Sequence, residues 1–358
     1  MKMLLAGGGT GGHLFPAIAI AEQLLREDAA AAVRFVGTAQ GLEARLLPRL
    51  GLQLDLINMV GVVGRGLRGL LQGVPRLISS FAQSKQILRA FGPDIVVGVG
   101  GYASFPVLLA AATKGIPCVL HEQNAHPGLS NRILARVARR ICTSIPGSEK
   151  GLPPQKVVLT GNPLRQGVLD ISAELPEQGC LLVFGGSRGA RAINQLMVDA
   201  MPQLRAKGFK ARVLHQTGEA DEAWVKEAYA AAEVADVEVR PFIENMAEAY
   251  AEARLVVCRA GATTIAELCA CGRPAVMIPF PFAAADHQTA NAAAMAQQGA
   301  AMMLPQKSLD AEGLVTELGA LWHDPERLAR MASAAAALGQ KDAAAQVLQV
   351  CRQVLTKG

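Results

Sequence analysis

The sequence predicts an α/β chain of two doubly wound, parallel-sheet domains in tandem, and three observations lead there. Short apolar runs alternate with helical patterns from end to end, as parallel βαβ units require. The alternation restarts part-way along. Both series open alike, with an apolar strand, a glycine-rich turn and a helix start, at residues 1–12 and again at 180–190. With 358 residues, 51% hydrophobic and 18% charged, the chain can bury a core in each of two domains.

Runs at 3–6, 33–36, 95–99, 118–120, 140–143 and 157–159 read as strands of the first sheet. Those at 180–184, 211–215, 237–240, 255–258 and 275–278 read as strands of the second. Thr160-Gly161-Asn162-Pro163-Leu164-Arg165 is turn-forming and suits a hinge. The expected division is therefore 1–163 and 164–340, with a ligand cleft between the domains. Ala345, Val347, Leu348, Cys351 and Val354 recur at helical spacing, so a last helix within 341–358 is expected to pack back.

Composition excludes several classes. A net charge of +5 is too mild to imply nucleic acid. Seven cysteines, with no CxxC pair, argue against a disulfide framework or structural zinc and for a reducing compartment. The apolar start before Gly7 is too short for a signal-peptide core. The uncharged stretch 95–113 is broken by Gly98, Gly100, Gly101, Ser104 and Pro106, which reads as strand, turn and helix rather than a membrane span.

The first glycine loop satisfies GxGxxG as Gly7, Gly9 and Gly12. Such a loop lets backbone N–H groups approach a phosphate at a helix N-terminus. A dinucleotide site also wants an acid closing the second strand, about 20 residues on. Here that strand ends Val36-Gly37-Thr38, with no acid until Glu43, which weakens a nicotinamide reading. GxxxxGK[ST] is absent, so a P-loop nucleotidase is out. His13 closes the loop instead. A helix N-terminus disfavours imidazolium and keeps the ring able to accept a proton, whereas the bland alternative is a structural histidine.

In the second series, Ser187 between Gly186 and Arg188 resembles a phosphate cradle, with a tight turn as the plain alternative. Ala262, Thr263, Thr264, Ile265, Ala266 and Glu267 run into a helix after an apolar strand. Glu267 is typed either to accept two ribose hydroxyls or merely to complement the helix dipole. Gln288, opening the next helix, suits sugar hydroxyls. His121-Glu122-Gln123-Asn124 follow an apolar strand and are expected at the sheet edge as site residues, because a buried unpaired set is costly. No Asp-x-Asp occurs. Helix N-termini with Arg165 or Arg188 are then expected to offset leaving-group charge without a metal clamp.

Gly8-Gly9-Thr10-Gly11-Gly12-His13, His121-Glu122-Gln123-Asn124, Thr160-Gly161-Asn162-Pro163, Gly185-Gly186-Ser187-Arg188-Gly189-Ala190-Arg191 and the segment ending in Glu267 together resemble one family. It is the bacterial UDP-N-acetylglucosamine:N-acetylmuramyl-(pentapeptide) pyrophosphoryl-undecaprenol N-acetylglucosamine transferase family, which converts lipid I to lipid II in peptidoglycan synthesis. The resemblance implies a GT-B fold of two doubly wound domains facing across a cleft. It places the lipid acceptor on the first domain and the sugar nucleotide mainly on the second. It implies UDP-GlcNAc as donor, an undecaprenyl-diphosphate-linked acceptor and contact with other cell-wall synthesis proteins; no cofactor is expected, and the absence of Asp-x-Asp leads to the expectation of no metal. Donor contacts carried over fall on Thr10, Gly11, Gly12, Asn124, Arg165, Ser187, Ile243, Ala262, Thr263, Thr264, Ile265, Ala266, Glu267 and Gln288. Ile243 meets the uracil by its backbone in that scheme, and His13 is the candidate catalytic base. Thr289 departs from members with a second Gln there. A nicotinamide-dependent oxidoreductase and a non-catalytic nucleotide-sugar or lipid-carrier binding module remain the alternatives.

Between 56 and 93 the charges are Arg65, Arg68, Arg76, Lys85 and Arg89, with no acid among them. Leu67, Leu70, Leu71, Val74, Ile78 and Phe81 recur at helical spacing, although Gly66, Gly69, Gly73 and Pro75 suggest a broken first half. The plain reading is a core-facing helix with a solvated basic side. A polyprenyl acceptor implies instead a peripheral protein on an anionic, cytoplasmic membrane face, with Leu67, Leu70, Leu71 and Phe81 inserting.

Overall fold

The computed structural model describes residues 1–59, 66–124, 126–145, 148–283 and 286–356, the stretch 66–74 by its backbone alone. The strands are β1 (Lys2–Ala6), β2 (Ala32–Gly37), β3 (Leu54–Leu56), β4 (Ile95–Gly98), β5 (Cys118–Glu122), β6 (Arg140–Thr143), β7 (Val157–Leu159), β8 (Cys180–Phe184), β9 (Val213–Gln216), β10 (Val237–Arg240), β11 (Ala253–Cys258), β12 (Ala275–Met277) and β13 (Ala301–Met303). The helices are α1 (Gly11–Glu27), α2 (Leu42–Arg49), α3 (Gly66–Phe91), α4 (Ser104–Thr113), α5 (Leu129–Leu134), α6 (Gln166–Leu169), α7 (Arg191–Ala206), α8 (Glu222–Ala231), α9 (Met246–Glu252), α10 (Ala262–Ala270), α11 (His287–Gln297), α12 (Ala311–Trp322), α13 (Pro325–Ala337) and α14 (Ala343–Thr356). The chain divides into two compact units, Met1–Arg165 with Lys341–Gly358, and Gln166–Gln340.

In the first unit the strands run parallel in the order β3-β2-β1-β4-β5-β6-β7. The direction of build-up reverses between β1 and β4, which opens a crevice at their carboxyl ends. β4 and β5 are buried along their whole length, as a parallel sheet covered on both faces demands. One core cluster lies under α1 and α14, with Leu14, Ile18, Val347 and Leu348. The other takes in Leu88 of α3, Val107 and Leu108 of α4, and Leu134 of α5. α14 packs on α1 and β6.

The second unit repeats the plan as β10-β9-β8-β11-β12-β13, all parallel, reversing between β8 and β11. Its core joins β8, β9 and β11 to α7, α12 and α13 through Val183, Met197, Val257, Leu318 and Leu328. Asp310 and Asp324 cap the last two of these helices, accepting from Gly313 N–H and Arg327 N–H at 2.8 Å each.

Two expectations for the 56–93 stretch change. The backbone is helical from Gly66 onward, through Pro75, so the glycines and proline do not break it. Phe81 is half-buried and packs on the first unit's core, with Lys85 Nζ 4.7 Å from its ring centre. Among the described residues of α3, Ile78 is an exposed apolar side chain, at 65%. The side chains of Leu67, Leu70 and Leu71 lie outside the described residues.

Candidate functional site

At the end of β1 the chain passes through residues 7–13 into α1. Gly101 (φ +80°) shows how closely this loop is packed: an added Cβ would fall 2.4 Å from the Gly8 carbonyl oxygen. Thr10 is the N-cap of α1, so Gly11 and Gly12 supply the first helical amides. Thr10 Oγ1 lies 3.4 Å from His13 Nδ1. The His13 ring rests over Gly100, where an added Cβ would fall 2.6 Å from its Cδ2. Burial lowers the His13 pKa from 6.5, and the Glu122 and Glu43 carboxylates offset part of that fall. The His13 imidazole is thus half-buried and held toward its neutral form at the carboxyl end of β1.

The polar run after β5 behaves otherwise than expected. β5 continues through Glu122, and His121, Glu122 and Gln123 are all buried. His121 Nε2 is 3.1 Å from the Gly161 carbonyl, and its pKa is lowered to about 4 by desolvation. Gln123 Nε2 donates to the Val99 carbonyl at 2.8 Å. Glu122 accepts from the Asn124 backbone and side-chain amides and from Gly128 N–H and Asn131 Nδ2. These three are framework, and Asn124 alone of the run reaches the half-exposed surface, its amide oriented by Glu122. Arg165 stacks its guanidinium 4.1 Å from the centre of the Phe15 ring on α1.

In the second unit the loop after β8 lies flush against the turn after β9. A Cβ at Gly189 (φ +74°) would fall 1.8 Å from the Thr217 carbonyl oxygen. Gln216 Nε2 donates to the Gly186 carbonyl at 2.9 Å and fixes the loop from below. Ser187 stands half-buried in this loop, and its hydroxyl has no hydrogen-bond partner among the described residues. Across the β8/β11 switch, α10 begins at Ala262 after Gly261. Ala262 and Thr263 are buried, and Thr264, Ile265 and Ala266 are half-exposed. Glu267 sits one turn further in, 6% exposed, and its Oε2 accepts from the Tyr250 hydroxyl at 2.9 Å. Burial, and then the Glu267 charge, hold the Tyr250 pKa well above 10, so it remains a donor.

Gln288 accepts from Phe280 N–H at 3.0 Å through its oxygen, which leaves its amide nitrogen as the end that donates. Thr289 instead donates to Asp286 at 2.7 Å within the same turn. Ile243 is 2% exposed, so its side chain belongs to the interior. Sequence reasoning missed Arg259, which is buried and donates to the Ile278 and Pro279 carbonyls and to Gln306. It anchors the loop carrying Phe280 and Phe282. An arginine directly after an apolar strand was the available signal. Among the described residues no group of three His, Cys, Asp or Glu is placed to hold a metal ion.

Residues 3–143 match the glycosyltransferase family 28 N-terminal domain and residues 180–347 match the family 28 C-terminal domain. The chain belongs to glycosyltransferase family 28. Its two doubly wound units are those of the GT-B fold. A relative from Syntrophotalea carbinolica is 53% identical over 99% of both chains. One from Geobacter metallireducens is 47% identical over 96% of both. Both are named UDP-N-acetylglucosamine–N-acetylmuramyl-(pentapeptide) pyrophosphoryl-undecaprenol N-acetylglucosamine transferase. Among solved structures, Acinetobacter baumannii MurG is 32% identical with a TM-score of 0.75, covering 98% of this family 28 chain and 99% of its own.

Proposed function

We propose that this family 28 chain transfers N-acetylglucosamine from UDP-GlcNAc to the muramoyl-pentapeptide diphospho-undecaprenol acceptor, converting lipid I to lipid II. The observation that carries the reading is the near full-length match, at 53% identity, to a relative of that name. Both candidate loops sit at sheet switch points, where α/β folds present ligands. In this scheme the α10 start and Ser187 receive the UDP diphosphate, Glu267 the ribose diol, the Ile243 backbone the uracil, and Gln288 the sugar. In the first unit the scheme assigns donor contacts to Thr10, Gly11, Gly12, Asn124 and Arg165. His13 takes the proton of the acceptor 4-hydroxyl as it attacks the anomeric carbon, and oriented N–H groups stabilise the departing UDP. The nicotinamide alternative loses ground further, because the Glu43 carboxylate beside the glycine loop is already bonded to Gly9 N–H and to Thr38 rather than open to a ribose diol.

Transfer of radiolabelled GlcNAc to a polyprenyl-linked acceptor tests the reading. Tight UDP-GlcNAc binding without transfer would identify a binding module instead. For location, among the described residues no helix is long and apolar enough to cross a membrane. The reading is peripheral docking on the cytoplasmic face, through exposed Ile78 with Lys85 and Arg89 on the same face of α3. Vesicle co-sedimentation should rise with anionic lipid and fall with salt. Binding unchanged by Ile78→Glu together with Arg89→Glu counts against this docking.

A further inference from the structure

Glu43 stands in the first turn of α2 and is 1% exposed. Its carboxylate reaches into the glycine loop that follows β1. Oε2 accepts from Gly9 N–H at 2.7 Å. Oε1 accepts from Thr38 N–H at 2.8 Å and from the Thr38 hydroxyl at 3.1 Å. The wall around it is bare backbone: a Cβ at Gly8, Gly37 or Gly41 would fall 2.4, 2.4 and 2.1 Å from Glu43 side-chain atoms. Two stretches of chain, the glycine loop after β1 and the turn after β2, therefore close on one carboxylate. Backbone N–H groups converging at a glycine turn make an anion cradle, and here the protein's own anion fills it.

We infer that Glu43 is a positioning residue for the transfer reaction, locking the glycine loop to the turn after β2 and so setting where α1 begins and where His13 stands. The inference rests on the transferase reading above. Five of the six residues from 7 to 12 are glycine, a sequence with little conformational preference of its own. Glu43 supplies the restraint those glycines lack. It also divides the loop by task. Gly9 N–H is spent on Glu43, so an anionic substrate group meets the loop only further along, where α1 starts.

The test compares the full-length wild type with Glu43→Ala, with and without sodium formate, using chloride as the ionic-strength control. Displacing a catalytic group by about 1 Å costs up to about 100-fold, so Glu43→Ala should lose at least about tenfold in kcat. Formate, which fits the vacated cradle and accepts the same N–H bonds, should restore most of the loss and leave wild type unchanged. Glu43→Gln, whose amide sets a donor against a donor while still filling the space, should be slow and insensitive to formate. The His13 imidazole NMR signals should be displaced in Glu43→Ala and return with formate, a readout independent of turnover. Wild-type kcat in Glu43→Ala, or a loss with His13 signals that formate does not reverse, overturns the inference. Should Glu43→Ala fail to fold, Thr38→Val removes one of the three donors and should lower kcat several-fold; an unchanged kcat there overturns it equally. Failure of the transferase reading would show separately, as wild type without transfer.

Discussion

Mild acid should destabilise the second unit through His215 on β9. The ring is fully buried, with Nε2 3.1 Å from Asn194 Oδ1 and Nδ1 3.0 Å from the Tyr229 hydroxyl. Asn194 Nδ2 already donates to the Thr217 carbonyl and to Asp221, so Oδ1 must be the acceptor. His215 therefore carries its proton on Nε2 and accepts at Nδ1 from Tyr229, whose own pKa is raised by burial so that it stays a donor. Burial lowers the His215 pKa from 6.5 to about 3. With the folded pKa below the unfolded one, the unfolded chain binds the extra proton first. The stabilisation is complete above pH 6.5 and is lost as pH falls toward 3. At about 1.4 kcal/mol per pH unit, going from pH 6.5 to 5 removes about 2 kcal/mol, or roughly 4–8 °C of Tm for a unit this size. Trp224 and Trp322 are the chain's two tryptophans and both lie in the second unit, so tryptophan fluorescence melts report on it alone. His215→Gln should be less stable at neutral pH but lose most of this slope. Equal slopes in variant and wild type between pH 6.5 and 5 would refute the reasoning. Because this network holds the turn under the Ser187 loop, UDP affinity should weaken over the same range.

Three other outcomes are expected. His13→Ala should lower kcat by about 10²–10⁴ in steady-state transfer assays, with UDP-GlcNAc affinity little changed; turnover within about threefold of wild type counts against the base. Glu267→Ala should weaken UDP itself by about 1.5–3 kcal/mol in calorimetry, and Tyr250→Phe should act in the same direction but less, since it removes one hydrogen bond to the carboxylate and leaves the carboxylate in place. Unchanged UDP affinity in Glu267→Ala means that the ribose assignment is wrong. Transfer should persist in chelator, and a complete loss restored by magnesium or manganese would contradict the metal-independent scheme.

Much of the architecture was legible because the signals are local. Central strands such as β4 and β5, buried on both faces, read as unbroken apolar runs in sequence. β3 and β13 escaped notice. Each has three residues, lies at a sheet edge and pairs on one side only, so neither needs a long apolar run. The loops at 7–13 and 185–190 were visible for a similar reason, since a tight turn between strand and helix demands glycine wherever it occurs.

Alternating strands and helices, the repeated glycine turns and the basic, acid-free stretch at 56–93 belong to the sequence by itself, because each follows from residues adjacent in the chain. Tertiary structure alone decided which polar side chains face a ligand. His121, Glu122 and Gln123 read as site residues from their place after a strand, yet their partners, Gly161, Asn131 and Val99, come from other elements of the sheet and its helices. Glu43 read as an acid too late in the chain for a ribose, yet it bonds Gly9 from 34 positions away. Tyr250 and Glu267 are 17 apart and meet only when β11 brings α9 and α10 together. A hydrogen bond is directional and spans about 3 Å, so whether a polar residue is framework or site depends on which distant segment arrives beside it, and periodicity along the chain carries no record of that.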